Sequence, residues 1–497
     1  MKKNKFYITT SIAYVNAPPH VGFALELLQA DVLARYHRLI GDDVWFLTGT
    51  DEHGSSVSRS AEKAKLSSQE FTDKISGEFK KLTRTLNISN DDFIRTTDKE
   101  RHWPSVAKFW NELVEAGDLY KKRYKGLYCV GHESFVKKSE LIDGRCPLHK
   151  TLPEEIEEEN WFFKLTKYKK EVRNKIESGE LKIVPASKIP EVINLIDDAE
   201  DVSFSRSASS LGWGIPVPND PEQIMYVWAD ALTNYISAIG YAGDTEQFQK
   251  LWPAEVHLIG KDILRFHSIY WPAMLLSAGL PLPKAIYVHG FITVEGEKMS
   301  KTIGNVVDPF VLIEKYGVEP VRYFLLRDIP SVEDGDFSYK KLEERHNGDL
   351  ANGLGNLVSR VATLVDNNMD SELIYEKKLI SDNIKEEVKF LENYNRAIEL
   401  FELHGALDVI WSVIFAANKY IDDRKPWIEL KEDPVRFLET MTNLVYIIHN
   451  IAWSLQPFLP ETSDKIARVF GDNLSIKDIH DGHHFVVKKG EPLFPRI

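Results

Sequence analysis

The first 54 residues follow a strand, helix, strand pattern, which restricts the possible folds more than any other part of the sequence. KFYITTSIAYV is rich in aromatic and β-branched residues, and ALELLQADVLARYHRLI repeats apolar residues at helical spacing up to Gly41. DVWFLTGTDEHG then reads as a second buried strand that ends in polar residues. This β-α-β unit predicts a parallel sheet that binds ligands at the carboxyl ends of its strands.

The same pattern resumes after residue 222. EVHLIG and AIYVHG are predicted strands on either side of a helical segment, and FITVEGEKMSKTIGN is a predicted hairpin plus loop. We therefore predict an α/β fold with a Rossmann-type parallel sheet, split into halves at 1–114 and 223–335 by an inserted connective subdomain at 115–222. Long amphipathic segments after residue 335 predict an all-α bundle over 336–497, with the closing HDGHHFVVKKGEPLFPRI packed back on the body.

Composition excludes several classes of protein. The 497 residues are 43% hydrophobic, which rules out a disordered or fibrous chain. The net charge of −13 argues against a protein that coats nucleic acid nonspecifically, and the acidic LPEEIEEEN is expected to be a solvated face or loop. With no secretory-type leader and no run of about 18 apolar residues, we expect a soluble cytoplasmic protein that does not enter a membrane.

Two motifs place groups that bind phosphate at the ends of the split sheet. In APPHVGFALE, His20 and Gly22 stand where a strand gives way to a helix, so an imidazole and backbone N–H groups face one spot. In EGEKMSKTIGN, Lys298 and Lys301 lie in a loop bounded by glycines, and both can neutralise charge that develops on a pyrophosphate leaving group. The alternatives are a histidine satisfied within an ordinary turn and two solvated lysines.

CVGHESFVKKSELIDGRCPLH holds both cysteines of the chain in two Cys-x-x-His pairs, Cys129 with His132 and Cys146 with His149. Four N and S ligands in two close pairs are typical of a tetrahedral structural zinc site, which leaves no open position for substrate. A knuckle without metal is the alternative.

Three residues of the helical region form a candidate surface for an unpaired base. Asn356 and Arg360 lie one turn apart, and Trp427 follows a proline in RKPWIEL. A partly exposed tryptophan near an arginine and an asparagine can stack on a base and hydrogen-bond its edges. The alternative is a tryptophan at a helix end that covers the bundle core.

The chain resembles the class I aminoacyl-tRNA synthetases, and within them the methionyl-tRNA synthetases. HVGF and KMSKT resemble the two class I signatures. SIAYVNAPPHVG, GTDEHG, YVWADALTNYI, LIGKDILRFHSIYWPAML, VHGFITVEGEKMSKT and DLANGLGNLVSR follow in the family's order and cover nearly the whole chain. The resemblance implies a two-step reaction with methionine, ATP with Mg²⁺, and tRNA(Met), without a protein nucleophile.

The resemblance also implies roles for individual residues. His20, Lys298, Ser300 and Lys301 would bind ATP, with Arg206 a weaker candidate, and Asp51 would bind the methionine ammonium group. The methionine side chain would be surrounded by Ile12, Tyr14, Trp228, Ala231, Tyr235, Ile263 and His267. Asn356, Arg360 and Trp427 match the positions that read the anticodon, and the Cys/His pairs match a knuckle that holds zinc in some members only.

The sequence departs from the family at two signature positions. Phe23 replaces the usual second histidine, so either His53 or a neighbour compensates or turnover is weaker. Thr302 replaces a serine while keeping the hydroxyl. A leucine, isoleucine or valine synthetase is the nearest alternative, although the insertion leaves little room for an editing domain. A catalytically inactive tRNA-binding module is the other. We expect no extra C-terminal domain of the kind that makes some relatives dimers, and therefore expect a monomer.

Overall fold

The structure is a computed structural model that describes residues 3–130, 134–147, 150–299, 304–381, 390–471, 474 and 479–497, with only the backbone of 134, 135 and 298. The chain forms two compact units. The first contains Met1–Ala30 and Asp42–His289, and the second contains Asp31–Gly41 and Gly290–Ile497. Residues 290–335, which the sequence analysis places in the second catalytic half, thus belong to the second unit. No helix within the described ranges is long and apolar enough to cross a membrane.

The first unit is built on the predicted parallel sheet. Its described strands are, in chain order, β1 Lys5–Thr10, β2 Ala13–Tyr14, β3 Asp43–Asp51, β4 Asp92–Arg95, β5 Leu119–Cys129, β6 Ser134–Val136, β7 Glu154–Phe163, β8 Lys182–Val184, β9 Val202–Ser203, β10 Ser205–Ser207, β11 Pro216–Val217, β12 Asp220–Met225, β13 Val256–Gly260 and β14 Ala285–His289. The sheet runs β3, β1, β13, β14, β8, and β3 also pairs with β2 and β4. Every pair is parallel, so the predicted split sheet is confirmed.

One strand of this sheet lies inside the predicted insertion. The strand β8 pairs with β14, with Ile183 opposite Ile286, so residues 182–184 belong to the main sheet. A three-residue strand followed directly by a proline gives too short a pattern to be recognised from sequence. The remaining strands of the insertion form two antiparallel sheets, β6–β5–β7–β9 and β10–β12–β11.

The acidic run lies largely in the strand β7. Glu154–Phe163 pairs antiparallel with the basic strand β5, where Lys125 lies opposite Glu157 and its Nζ is 2.8 Å from the carboxylate of Glu155. Both members of this ion pair are more than half exposed, so it contributes little to stability. The run is thus a solvated face of a sheet rather than a loop.

Helices flank the main sheet. Their described ranges are Val21–Leu39, Ser55–Ala64, Ser68–Thr85, Trp103–Glu115, Lys169–Glu177, Ile189–Asp197, Val227–Leu232, Asn234–Ser237, Glu246–Leu251 and Trp271–Ser277. The predicted first helix ends as expected before Gly41, whose φ of +96° favours glycine. Ser67 and Glu70 begin a helix with a reciprocal capping box. Buried residues such as Tyr7, Phe109 and Trp271 fill the space between sheet and helices.

The second unit is mainly helical, as predicted. Its described helices are Pro309–Tyr316, Val318–Arg327, Tyr339–Arg345, Asn356–Asn368, Phe390–Glu399, Leu403–Arg424, Pro426–Glu432, Pro434–Leu455 and Pro460–Phe470. Its described strands are β15 Ile292–Val294, β16 Glu297–Lys298, β17 Gly335–Phe337, β18 Glu372–Ile374 and β19 His484–Val486. The last two pair with each other, and the His346 ring donates to the Pro495 carbonyl over 2.7 Å. The closing segment therefore packs back on the helices, partly as a strand that the sequence analysis did not predict.

Candidate functional site

The first signature forms a turn that leads into the helix Val21–Leu39. His20 is exposed, and its Nδ1 accepts a hydrogen bond from the Gly22 N–H over 3.1 Å. A neutral imidazole that accepts at Nδ1 carries its proton on Nε2. The His20 carbonyl accepts from the N–H groups of Phe23 and Ala24, which closes the first helical turn. His20 and Gly22 thus meet at a helix N-terminus, where the helix dipole favours an anion.

Phe23 does not take the place of an imidazole. Its side chain is only 9% exposed and packs edge-on against Phe79, with ring centroids 5.0 Å apart. His53 is the residue suggested above to compensate for the missing histidine. It is buried, and its Nδ1 lies 2.6 Å from the Asp230 carboxylate. His53 is therefore part of a buried network, and Phe23 is part of the apolar packing.

Tyr14 and Asp51 lie side by side at the carboxyl edge of the main sheet. They are directly paired where β2 joins β3, and the Asp51 carbonyl accepts from the Val15 N–H over 3.0 Å. Asp51 is buried, and the half-buried Ile12 precedes β2 and packs against the core. The parallel sheet therefore brings these three predicted residues to the edge where ligands of such sheets bind.

The other predicted pocket residues form an aromatic wall on two helical segments. The Tyr235 hydroxyl donates to His267 Nε2 over 2.7 Å, and His267 Nδ1 donates to the Ile263 carbonyl over 3.0 Å. The Trp228 ring stacks on Phe266 at 3.7 Å and stands edge-on to His267 at 6.1 Å. Ala231 is buried on the same helical stretch. Ala231 thus lies between Trp228 and Tyr235 along the helical stretch, at the predicted spacing.

Burial keeps the polar groups of this wall uncharged. It lowers the pKa of His267 to about 4. Burial also raises the pKa of the Tyr235 hydroxyl, and the negative charges of Glu26 and Asp51 add to this shift. The wall therefore presents a neutral imidazole and an un-ionised phenol.

The neutral His267 predicts a defined pH dependence of stability. Because its folded pKa of about 4 lies below the usual 6.5, the unfolded chain binds the proton first as pH falls. This residue should therefore cost up to roughly 3 kcal/mol of unfolding free energy between pH 6.5 and pH 4. We expect His267→Gln to flatten the pH dependence in that window, measured by urea unfolding, and His480→Gln, at an exposed histidine, to leave it unchanged. Equal pH profiles for the wild type and His267→Gln would contradict the prediction.

The second signature follows a tight hairpin in the second unit. Between β15 and β16, Glu295 and Gly296 both have positive φ, of 53° and 78°, as a two-residue type I′ turn requires. The Asp336 carboxylate accepts from the Gly296 N–H and the Thr293 hydroxyl, each over 2.7 Å, and fixes the turn. The predicted hairpin is confirmed, and β16 ends at Lys298. The Lys298 side chain and all of Ser300, Lys301 and Thr302 lie outside the described residues.

The predicted knuckle is described at its cysteines only. Cys129 ends β5, and both Cys129 and Cys146 are fully buried thiols without a disulfide. His132 and His149 lie outside the described residues. Among those that are described, no group of three or more His, Cys, Asp or Glu is placed to hold a metal ion.

The three predicted base-binding residues lie on helices of the second unit. Asn356 donates to the Asn418 side chain over 3.1 Å, and Arg360 donates to the Asp422 carboxylate over 2.7 Å. Both partners, Asn418 and Asp422, lie on the helix Leu403–Arg424. Trp427 follows this helix, in the short helix Pro426–Glu432. Trp427 is 45% exposed, so a large part of its surface is accessible to a base.

Comparison with known proteins decides the family. The family model described as tRNA synthetases class I (M) matches residues 6–152 and 136–362. The model described as the anticodon binding domain of methionyl tRNA ligase matches residues 370–489. The chain belongs to the methionyl-tRNA synthetases of class I. It is accordingly an aminoacyl-tRNA ligase with the predicted fold class, and the second match covers the helical region that contains Trp427.

Relatives of this synthetase family match over nearly the whole chain. The methionine–tRNA ligase of Thermotoga maritima is 42% identical over 99% of this chain and 80% of its own length. That of Brucella suis biovar 1 is 41% identical over 94% and 92%. The structure of Mycobacterium tuberculosis methionyl-tRNA synthetase in complex with methionyl-adenylate superposes with a TM-score of 0.94, at 38% identity over 99% of this chain and all of that one. Its apo form gives 0.88 at 35% identity, over all of this chain and 99% of that one.

Some residues around the candidate site were not identified from the sequence. One of them is Asp230, which forms a buried network with His53 and His102. Another is Phe266, whose ring stacks on Trp228. An aspartate within the otherwise apolar YVWADAL was a usable signal, because a buried carboxylate requires partners. The sequence around Phe266 contained no such signal, since aromatic residues are common in any core. Arg206 is buried between the rings of Tyr128 and Tyr226.

Proposed function

We propose that this enzyme ligates methionine to tRNA(Met) in two steps. The methionine carboxylate attacks the α-phosphorus of ATP and releases pyrophosphate, and a 3′-terminal ribose hydroxyl of the tRNA then takes the methionyl group and releases AMP. The observation that carries this proposal is the hydrogen-bonded aromatic wall of Trp228, Tyr235 and His267, together with the buried Asp51 carboxylate at the sheet edge. Such a site fits an amino acid with an uncharged, polarizable side chain.

The two parts of the site bind opposite ends of methionine. The buried Asp51 carboxylate pairs with the ammonium group, an interaction that a low-dielectric environment strengthens. Trp228 and Tyr235 contact the thioether, and each sulfur–aromatic contact contributes about 0.3–1.5 kcal/mol. Because His267 and Tyr235 are both neutral and hydrogen-bonded to each other, they provide no counter-charge for a charged side chain.

The phosphates of ATP are stabilised by charge and hydrogen bonding alone. Nε2–H of His20 donates to the transferring phosphate, and the dipole of the helix that begins at Val21 favours the negative charge. Lys298, Ser300 and Lys301 bind the pyrophosphate leaving group through positive charge and a hydroxyl donor, which fits a reaction without a protein nucleophile. ATP enters with Mg²⁺, which neutralises part of the phosphate charge.

Amino-acid-dependent exchange between ATP and pyrophosphate tests this function. We expect exchange with methionine, and methionylation of tRNA(Met) in a second assay. Exchange with leucine, isoleucine or valine but not methionine would overturn the specificity. Exchange with no amino acid, together with tRNA binding, would favour a tRNA-binding module.

We further propose that Trp427, Asn356 and Arg360 read the anticodon. Trp427→Ala should lower kcat/KM for tRNA(Met) in methionylation by about 10–100-fold, because base–aromatic stacking is worth about 1–3 kcal/mol. ATP–pyrophosphate exchange should stay unchanged, since it requires no tRNA. A tRNA(Met) with a substituted anticodon serves as control and should lose less with Trp427→Ala than the natural tRNA. Equal losses for both tRNAs would contradict this role.

We also propose one structural zinc ion at the knuckle. Two buried thiols outside any disulfide suit thiolate ligation, with His132 and His149 as the other ligands. The ion would hold the insertion and take no part in the chemistry. Metal analysis of the purified enzyme should find about one zinc per chain, and Cys129→Ser or Cys146→Ser should remove it. A wild-type enzyme without zinc, whose folding is indifferent to chelators, would contradict the proposal.

A further inference from the structure

A buried carboxylate is shared by two histidines beside the methionine site. Asp230 is 1% exposed, and its Oδ2 lies 2.6 Å from His53 Nδ1 while its Oδ1 lies 2.7 Å from His102 Nε2. His102 Nδ1 is in turn 2.8 Å from the Ser237 hydroxyl. Both imidazoles are buried. Since an ionised carboxylate only accepts, each histidine carries a proton on the nitrogen that faces Asp230.

The charge of Asp230 depends on these two partners. Burial on its own would raise the pKa of this carboxyl group, but the charges and hydrogen bonds of His53 and His102 outweigh it and lower the pKa. A buried carboxylate is stable only while such hydrogen bonds persist, and removing one partner from a buried pair is strongly destabilising. The network therefore resists any movement that separates its three residues.

The network ties together the segments that carry the two ends of the site. His53 follows Asp51 by two residues at the end of β3, and Asp230 lies between Trp228 and Ala231. His53 also packs edge-on against Trp103 and Trp213, at centroid distances of 6.1 and 5.4 Å. On its helix, Asp230 points away from the face shared by its two pocket neighbours. It thus joins two segments and does not line the pocket.

We propose that Asp230, through His53 and His102, is a positioning residue that fixes Asp51 relative to the face formed by Trp228, Ala231 and Tyr235. This inference rests on the proposed function. One methionine can then engage its ammonium group and its thioether at the same time. Orientation of this kind is sensitive to small displacements, because a misplacement of about 1 Å costs on the order of 10²-fold in rate.

Asp230→Asn tests the network with little change in shape. An amide presents one acceptor and one donor group, so one histidine N–H loses its acceptor. In ATP–pyrophosphate exchange, we expect kcat/KM for methionine to fall on the order of 10²-fold, while KM for ATP stays unchanged. For 2-aminobutyrate, whose side chain ends two heavy atoms short of that of methionine, the fall should be under about 10-fold, because this substrate does not span both ends of the site.

Variants of the histidines provide matched controls. His53→Asn and His102→Gln keep an amide N–H at the position of the donating ring nitrogen, whereas His53→Ala and His102→Ala remove it. Discrimination is the ratio of kcat/KM for methionine to kcat/KM for 2-aminobutyrate. We expect the amide variants to keep this ratio within about 5-fold of the wild type and the alanine variants to lower it as Asp230→Asn does. If Asp230→Asn does not fold, the comparison of His53→Asn with His53→Ala tests the same network.

The outcomes separate positioning from folding alone. Equal losses for methionine and 2-aminobutyrate, or a lower unfolding midpoint with unchanged discrimination, would overturn the inference. A wild-type enzyme without methionine-dependent exchange would instead contradict the proposed function, before any variant is compared.

Discussion

Asp51→Asn is expected to lower kcat/KM for methionine in ATP–pyrophosphate exchange by about 10²–10³-fold. The substitution preserves size and removes the charge that pairs with the substrate ammonium. Asp51 is buried at the carboxyl end of β3, so little water is available to replace its interaction with a bound cation. The loss should lie mainly in KM for methionine, with KM for ATP nearly unchanged, because the phosphates are bound by other groups.

Asp43→Asn is the matched control, since Asp43 begins the strand that Asp51 ends. Asp43 is 44% exposed and pairs with Lys250, so its loss should cost under about 1 kcal/mol of stability and leave exchange unaffected. If Asp51→Asn raised KM for ATP as much as KM for methionine, the carboxylate would not be a specific partner of the ammonium group. An unchanged kcat/KM would contradict its role entirely.

The fold was predictable where the sequence pattern is long and regular. The strands β1, β3, β13 and β14 were predicted from runs of apolar, aromatic and β-branched residues, and the helix after β1 was predicted from its helical period. The strand β8 and the pair β18 and β19 have three residues each, too few for a period to show. Their positions depend on tertiary pairing rather than on local propensity.

Candidate residues of the site could be named one at a time from the sequence, but the contacts between them could not. Motifs suggest Asp51, Trp228 and Tyr235, and the pairing of β2 with β3 places Tyr14 beside Asp51. The bond between Tyr235 and His267 joins residues 32 positions apart, and Asp230 bonds His53 across 177. Contacts this distant depend on the packed fold and leave no pattern in one sequence.

Asp31→Asn is expected to lower the unfolding free energy of the second unit by about 3–5 kcal/mol. The Asp31 carboxylate accepts from Arg322 over 2.7 Å and from Arg35 over 2.8 Å, and the side chains of Asp31 and Arg322 are fully buried. Arg322 also donates to the Phe458 carbonyl over 2.9 Å. The asparagine would remove the charge that pairs directly with a buried guanidinium, and urea unfolding followed by circular dichroism measures the cost.

Asp408→Asn provides the comparison, because Asp408 pairs with Arg327 on the same helix as Arg322 but is 53% exposed. Water can replace the lost carboxylate there, so this variant should cost less than about 1 kcal/mol. Burial is thus the main difference between the two ion pairs. The difference between the losses of unfolding free energy in Asp31→Asn and Asp408→Asn measures how much burial increases the cost of removing the carboxylate. If both variants unfold at the same urea concentration as the wild type, the Asp31–Arg322 pair does not hold the helices of this unit together.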